Sequence, residues 1–253
     1  MRITFSGLDR PIDVLERGIT MLQIENESLF ARVCDSLISL KGDKAIEPYS
    51  VWSEDGDEIS PNNAFLVVLN PCDLPWKHKC LMGGLYSKLE NELLIDDELR
   101  QEMSDLGLAL EGSAHKLGFQ LNANYRFGVE WNLGSYLKAF SFEVEVLETA
   151  SLLEKLISFI DLGADMSIDR VIVFINLKTF LAKNELTELQ DRLFFHGIRA
   201  LLLERYSSSW DEECVRKYLV DRDFVEYVFK GRSDCPSSSQ GRICSNGFGA
   251  VAI

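Results

Sequence analysis

Two uninterrupted apolar runs, separated by one helical period, limit the folds open to this chain more than any other feature. The first is Arg170-Val171-Ile172-Val173-Phe174-Ile175 and the second Ile198-Arg199-Ala200-Leu201-Leu202-Leu203. Strands apolar on both faces belong inside a sheet covered on both sides. Between them Leu186, Leu189 and Leu193 mark one face of a helix, which Asn184 is expected to cap and Gly197 to end. Such a strand–helix–strand unit implies parallel pairing through a right-handed crossover.

The flanking sequence extends the same design. Met1–Phe5, residues 10–14 and the β-rich Ile19–Ile24 read as strands. Leu29, Val33, Leu37 and Leu40 repeat at helical spacing, residues 41–63 read as loop, and Ala64–Leu69 is another buried strand. Residues 84–117 change character. Leu85, Leu89 and Leu93, then Leu99, Met103, Leu106 and Leu110, form narrow stripes among eight carboxylates from Glu90 to Glu111. This pattern predicts a helical pair with a solvated acidic face, with Gly107 and Gly112 as points of bending. Alternation of Phe119, Leu121, Ala123, Tyr125 and Phe127 with polar residues predicts a half-buried strand. Residues 131–140 and 152–162 read as helices, residues 142–146 as strand-like, and Phe224–Phe229 as the strand that closes the sheet. The expected class is α/β. A mostly parallel sheet domain spans 1–70 and 119–230, a helical insertion spans 71–118, and a Ser/Gly-rich flexible tail spans 231–253.

Charge narrows the functions. Forty acidic against 26 basic residues leave the chain at −14. A broad affinity for nucleic acid is then excluded unless the bases are gathered on one surface. No apolar run approaches the roughly 20 residues of a membrane helix, and Met1–Ser6 lacks a signal core, so the expected location is cytoplasmic. The six cysteines form no CxxC pair and read as reduced thiols.

Catalytic signatures are absent. The junction after the strand 19–24 is where a phosphate loop would sit. It reads Glu25-Asn26-Glu27-Ser28, with no glycine or lysine and two carboxylates that repel phosphate. Neither GxxxxGK[ST] nor GxSxG occurs. His78, His115 and His196 read as surface or capping residues, and the acids 96–98 as a solvated helix face. Bases beside aromatics remain. Trp76-Lys77-His78-Lys79 is a compact basic patch, and Arg126 and Lys138 lie in a stretch, 120–138, whose one acid is Glu130. All four bases are candidate phosphate contacts.

The order of elements resembles the type II-A CRISPR accessory proteins of spacer acquisition. The resemblance is carried by Phe5-x-x-Leu8-Asp9-x-Pro11-Ile12, by Ile24-Glu25-Asn26 with Phe30, and by Val173-Phe174-Ile175-Asn176 with Phe180-Leu181. Glu185-Leu186-x-x-Leu189-Gln190, Leu201-Leu202-Leu203-Glu204 and Asp221-Arg222-Asp223-Phe224 complete it. It implies a head domain related to P-loop nucleotide-binding folds but lacking the phosphate loop, with a helical leg. It implies a non-catalytic, toroidal homotetramer that threads an end of double-stranded DNA and works with the CRISPR integrase complex and the effector nuclease. Lys138 and Lys155 sit where the family's DNA-facing lysines occur. The resemblance also implies calcium, for which Asn122, Asn124 and Glu130 are the candidate ligands. Where relatives resemble an alternating acidic strand, this chain has Gln120, Asn122, Asn124 and Arg126. Calcium favours carboxylate oxygens, so Arg126 is expected to supply a fixed positive charge in place of the ion. The alternatives are an acidic interaction module on a degenerate nucleotide-binding fold, and a nucleotide-dependent enzyme, which would need a phosphate cradle.

Overall fold

The computed structural model describes residues 1–123, 125–126, 131–146, 149–207, 210 and 216–230. The strand β3 (Gly18–Ile24) is buried along its whole length. It lies inside a six-stranded sheet ordered β10-β9-β3-β8-β7-β6. The other members are β6 (Phe65–Val68), β7 (Val171–Ile175), β8 (Arg199–Glu204), β9 (Arg216–Val220) and β10 (Glu226–Lys230). Pairing is parallel from β6 to β9, and β10 runs antiparallel along β9. The predicted strand–helix–strand unit is β7, α7 (Lys183–Phe195) and β8, with Val173 opposite Leu201 and Ile175 opposite Leu203.

Both faces of the sheet are covered, as its all-apolar strands require. Leu22, Ile24, Val171, Val173, Leu201 and Leu203 point to one side and share a core with Leu29, Val33 and Leu37 of α1 (Glu27–Ser39). That core also takes Ile3, Phe5, Ile12, Tyr49 and Val51 from a small antiparallel sheet. Its strand order is β2-β1-β4-β5, from β1 (Arg2–Phe5), β2 (Ile12–Asp13), β4 (Tyr49–Trp52) and β5 (Glu58–Ile59). On α6 (Leu152–Asp165) and α7, Leu156, Phe159, Ile160, Leu186, Leu189 and Leu193 are buried.

Several sequence expectations change. Residues 41–63 are not simply loop: they contribute β4, β5 and the short α2 (Pro61–Ala64). Pro48 and Pro61 bracket an alternation too short to read, in which Tyr49 and Val51 are buried. The strand β9 was not anticipated because it opens with Arg216 and Lys217. Lys217 is nevertheless buried, its ammonium 5.8 Å from the centre of the Phe229 ring. Asn184 does not cap α7. The helix starts at Lys183, and Glu185 accepts the Ala182 N–H at 2.7 Å. Gly197, at φ 68°, does end it. Phe224–Phe229 overlaps β10, which forms one edge of the sheet.

The predicted strand 119–127 is not formed by its described residues, which make turns and irregular backbone. Phe119 is 84% exposed and Leu121 and Tyr125 lie open as well; a half-buried strand needs a ladder partner and a core to face. Residues 142–146 are irregular too. The chain divides into one unit of Met1–Pro75 with Val146–Ile253, and a second of Trp76–Glu145; the sequence placed the helical insertion at 71–118.

The second unit holds α3 (Lys79–Ile95), α4 (Asp97–Gly118) and α5 (Leu133–Ala139). Asp96 alone separates α3 from α4, and its carboxylate accepts the Leu99 N–H at 2.9 Å. The acids 96–98 therefore start a helix, where carboxylates complement the dipole. The predicted seam of α4 is not buried: Leu99, Leu106 and Leu110 are exposed. Gly107 is buried, and a Cβ there would collide with the Trp131 ring. It is a docking notch rather than a point of bending, whereas Gly112 faces open space.

Candidate functional site

In open parallel sheets, ligands collect at the carboxyl ends of the strands where the connections diverge. Here that point lies after β3, which stands between the consecutive strands β8 and β9. A cleft of ≈ 480 Å³ opens there, lined by Glu25, Asn26, Glu27, Ser28, Arg205, Tyr206, Ser207 and Arg222. Several of its polar groups bond one another. The Glu25 N–H donates to Val220 O at 2.8 Å. Asn26 accepts the Leu29 N–H at 3.0 Å and donates to the Arg222 carbonyl at 3.2 Å. Arg205 pairs with Glu27 and stacks over Tyr206. Ser28 Oγ accepts from Arg32 at 3.1 Å, and Gln23 donates to Ser207 at 2.9 Å. A phosphate placed here would meet two carboxylates, and the guanidinium beside it already holds one of them.

The basic candidates divide between the two units. Lys155 stands half-buried on α6 in the sheet unit. Its neighbour Glu154 accepts the Ser151 N–H at 2.6 Å, which holds the carboxyl below its ordinary range. Lys77, Lys79, Arg126 and Lys138 all belong to the helical unit and are exposed. Lys79 opens α3, and Arg126 sits in irregular backbone.

Two of these lysines are tied into one contact chain. Lys138, in the last turn of α5, holds its ammonium 5.9 Å from the centre of the Tyr86 ring on α3. The Tyr86 hydroxyl donates to the Phe142 carbonyl at 3.2 Å. The next residue, Glu143, pairs with Lys77 at 2.8 Å. Beside them Tyr136 and Phe140 stack with centroids 4.6 Å apart. Ammonium groups over aromatic faces, on a solvent-exposed edge, suit phosphate contact beside base or sugar surface. Tyr86 and Glu143 were not singled out from the sequence. The available signal was the run 76–89, which holds Lys77, Lys79 and Lys88 and no carboxylate.

The candidate calcium ligands are not brought together by the described residues. Asn122 is exposed in irregular backbone, and Asn124 and Glu130 lie outside the described residues. Among those described, no group of three or more His, Cys, Asp or Glu side chains converges as a metal ligand set. The Asn122 amide oxygen could contribute to a calcium shell, but the ion favours several carboxylates and a guanidinium such as that of Arg126 would repel it. Two histidines stand at helix ends: His78 Nδ1 accepts the Cys80 N–H at the start of α3, and His196 lies 3.1 Å from Asp161 at the end of α7. No described helix is long and apolar enough to cross a membrane.

Comparison with known proteins gives the fold and the family. The crystal structure of Stu0660 of Streptococcus thermophilus is similar with a TM-score of 0.58 at 13% identity, over 87% of this chain and 75% of that one. At that identity the likeness concerns the fold. No curated protein matches the chain. The family model for CRISPR-associated protein (Cas_Csn2) matches residues 44–224. That span runs from before β4 to the turn ahead of β10 and takes in the whole helical unit. This chain therefore belongs to the Cas_Csn2 family of CRISPR-associated proteins.

Proposed function

We propose that this protein acts without catalysis in CRISPR adaptation, as a homotetrameric cytoplasmic ring that closes around an end of double-stranded DNA. The observation that carries the reading is the contact chain from Lys77 through Glu143, Phe142 and Tyr86 to Lys138. It puts exposed cations and aromatic faces along one edge of a unit whose other charges are mostly acidic. Lys79 and Arg126 add to the same unit, and Lys155 supplies a further cation from the sheet unit. Repeated in four protomers, contacts that are weak singly become sufficient, and threading limits escape. The acidic remainder keeps the exterior from binding DNA at random.

A second observation favours assembly. Leu94, Ile95, Leu106, Leu108, Leu110 and Leu117 on α3 and α4 are 57–79% exposed. Soluble proteins seldom leave so much contiguous apolar helix in water, so these stripes suit cover by further copies of the chain. The integrase complex and effector nuclease are the further partners proposed. Calcium is not required in this reading; Arg126 supplies the fixed charge instead.

Molar mass from light scattering, combined with binding to linear and closed circular DNA of one sequence, tests the proposal. A tetramer that shifts the linear form and leaves the circle free is the expected result. A monomer without preference between the two would remove the reading.

A further inference from the structure

A second cleft among the described residues plays no part in the proposed site. It is a cleft of ≈ 960 Å³ at the amino-terminal end of β3, bounded by the small sheet, α7 and β9. Its volume lies within the range that holds small ligands, about 300–1,000 Å³. Two aromatic residues line it: Trp52 at the end of β4, and Phe194, more than half exposed near the end of α7.

Arg2, Arg17, Arg216 and the terminal amine outnumber Asp13, Glu16 and Glu54 in the cleft. Asp13 is held by Arg2 at 2.6 Å, and its carbonyl accepts from Arg216. Glu54 pairs with the terminal amine at 3.2 Å. Arg17 has no carboxylate partner among the described residues; its guanidinium rests 5.5 Å from the centre of the Phe194 ring. The one acid left over is Glu16, exposed next to it. Gln190 of α7 adds an amide oxygen that is buried and accepts no hydrogen bond. A buried acceptor left unsatisfied is costly, and a turn of the Gln190 side chain toward a donor bound in the cleft would relieve it.

Two lining aromatics, a guanidinium without a carboxylate and an idle amide acceptor are complementary to a planar ring bearing amino donors, attached to an anion. We infer that this cleft binds one nucleotide unit, the base against Trp52 and Phe194 with an amino group toward Gln190, the phosphate at Arg17. The unit could come from a free mononucleotide or from an unpaired nucleotide at a DNA end. The first source is independent of the proposed DNA-ring function, and the second rests on it. The site is also distinct from the acidic junction after β3, which lies at the opposite end of that strand.

Calorimetry of the full chain with dAMP, and anisotropy with blunt duplexes and duplexes carrying a one-nucleotide overhang, test the inference. Arg17→Ala and Phe194→Ala change exposed side chains and should leave the fold intact, which melting would verify. If the source is a free nucleotide, dAMP binds with Kd of about 1 mM or tighter, both variants weaken it about tenfold, and the overhang adds nothing. If the source is a DNA end, the overhang strengthens duplex binding and both variants abolish that preference. Absence of dAMP binding together with equal affinity for blunt and overhanging duplexes overturns the inference. So does any binding that neither variant weakens. A chain that takes dAMP but ignores all duplexes would keep this cleft and discard the ring.

Discussion

The ammonium of Lys138 lies 5.9 Å from the centre of the Tyr86 ring, so one helix fixes the position of a charge carried by another. A lysine on a free helix end keeps its rotamer entropy until it meets a phosphate. Here the aromatic face narrows that freedom beforehand, at a gain of about 0.5–1 kcal/mol for an exposed pair.

Replacement of Lys138 by alanine should therefore weaken binding to linear duplex at least about tenfold near 100 mM salt and flatten the dependence of log K on log salt, since each lost phosphate contact lowers that slope. Anisotropy across a salt series measures both. Tyr86→Leu should give a smaller loss with the slope retained, because the cation stays and only its positioning is removed.

Glu143 lies 2.8 Å from Lys77 and, under the proposed function, would compete with phosphate for it. Glu143→Gln should strengthen duplex binding by a few-fold at low salt and leave thermal stability nearly unchanged, as exposed ion pairs contribute little. Unchanged or weaker binding in the same assay would mean that Lys77 does not face DNA.

The exposed stripe of α4 can be tested apart from DNA. Leu106→Glu with Leu110→Glu should reduce the molar mass in solution without lowering the melting temperature of the sheet unit. If the double variant keeps the parental mass, those leucines do not cover one another between copies.

Burial raises the Cys34 thiol from its ordinary 9.0 to about 11 and the Tyr49 hydroxyl from 10.0 to about 12. Both groups hold their protons more tightly folded than unfolded, so their contribution to stability is complete below pH 9 and falls as pH rises through 9–11 for Cys34 and 10–12 for Tyr49. Melting temperature should decline over that window, and Cys34→Ala should make the decline shallower. Exposed Cys72 should react with a thiol reagent at pH 8 well before Cys34 does.

The sheet was legible where its strands bury both faces. Val171–Ile175 and Leu201–Leu203 have no polar residue to confuse their period, and each lies between two neighbours. Reading failed where tertiary context decides. Tyr49–Trp52 is a strand because Ile3 and Phe5 wait opposite Val51 and Tyr49, 48 and 44 residues away in sequence, a pairing that local pattern cannot reveal. Residues 119–126 alternate as well, yet the described ones have no partner strand, and alternation alone does not make a ladder. At the candidate site, Lys138 was visible through resemblance and Lys77 through its basic neighbourhood. Tyr86 was not, since an aromatic at helical spacing reads equally as core until Lys138 is placed over it.

Asp96 ends one helix and caps the next, so the hairpin of α3 and α4 contains no spare link. One helical residue added at the start of α4 would turn its leucines by about 100° relative to α3. The single-residue hinge thus ties the direction in which the α4 leucines face to that of α3.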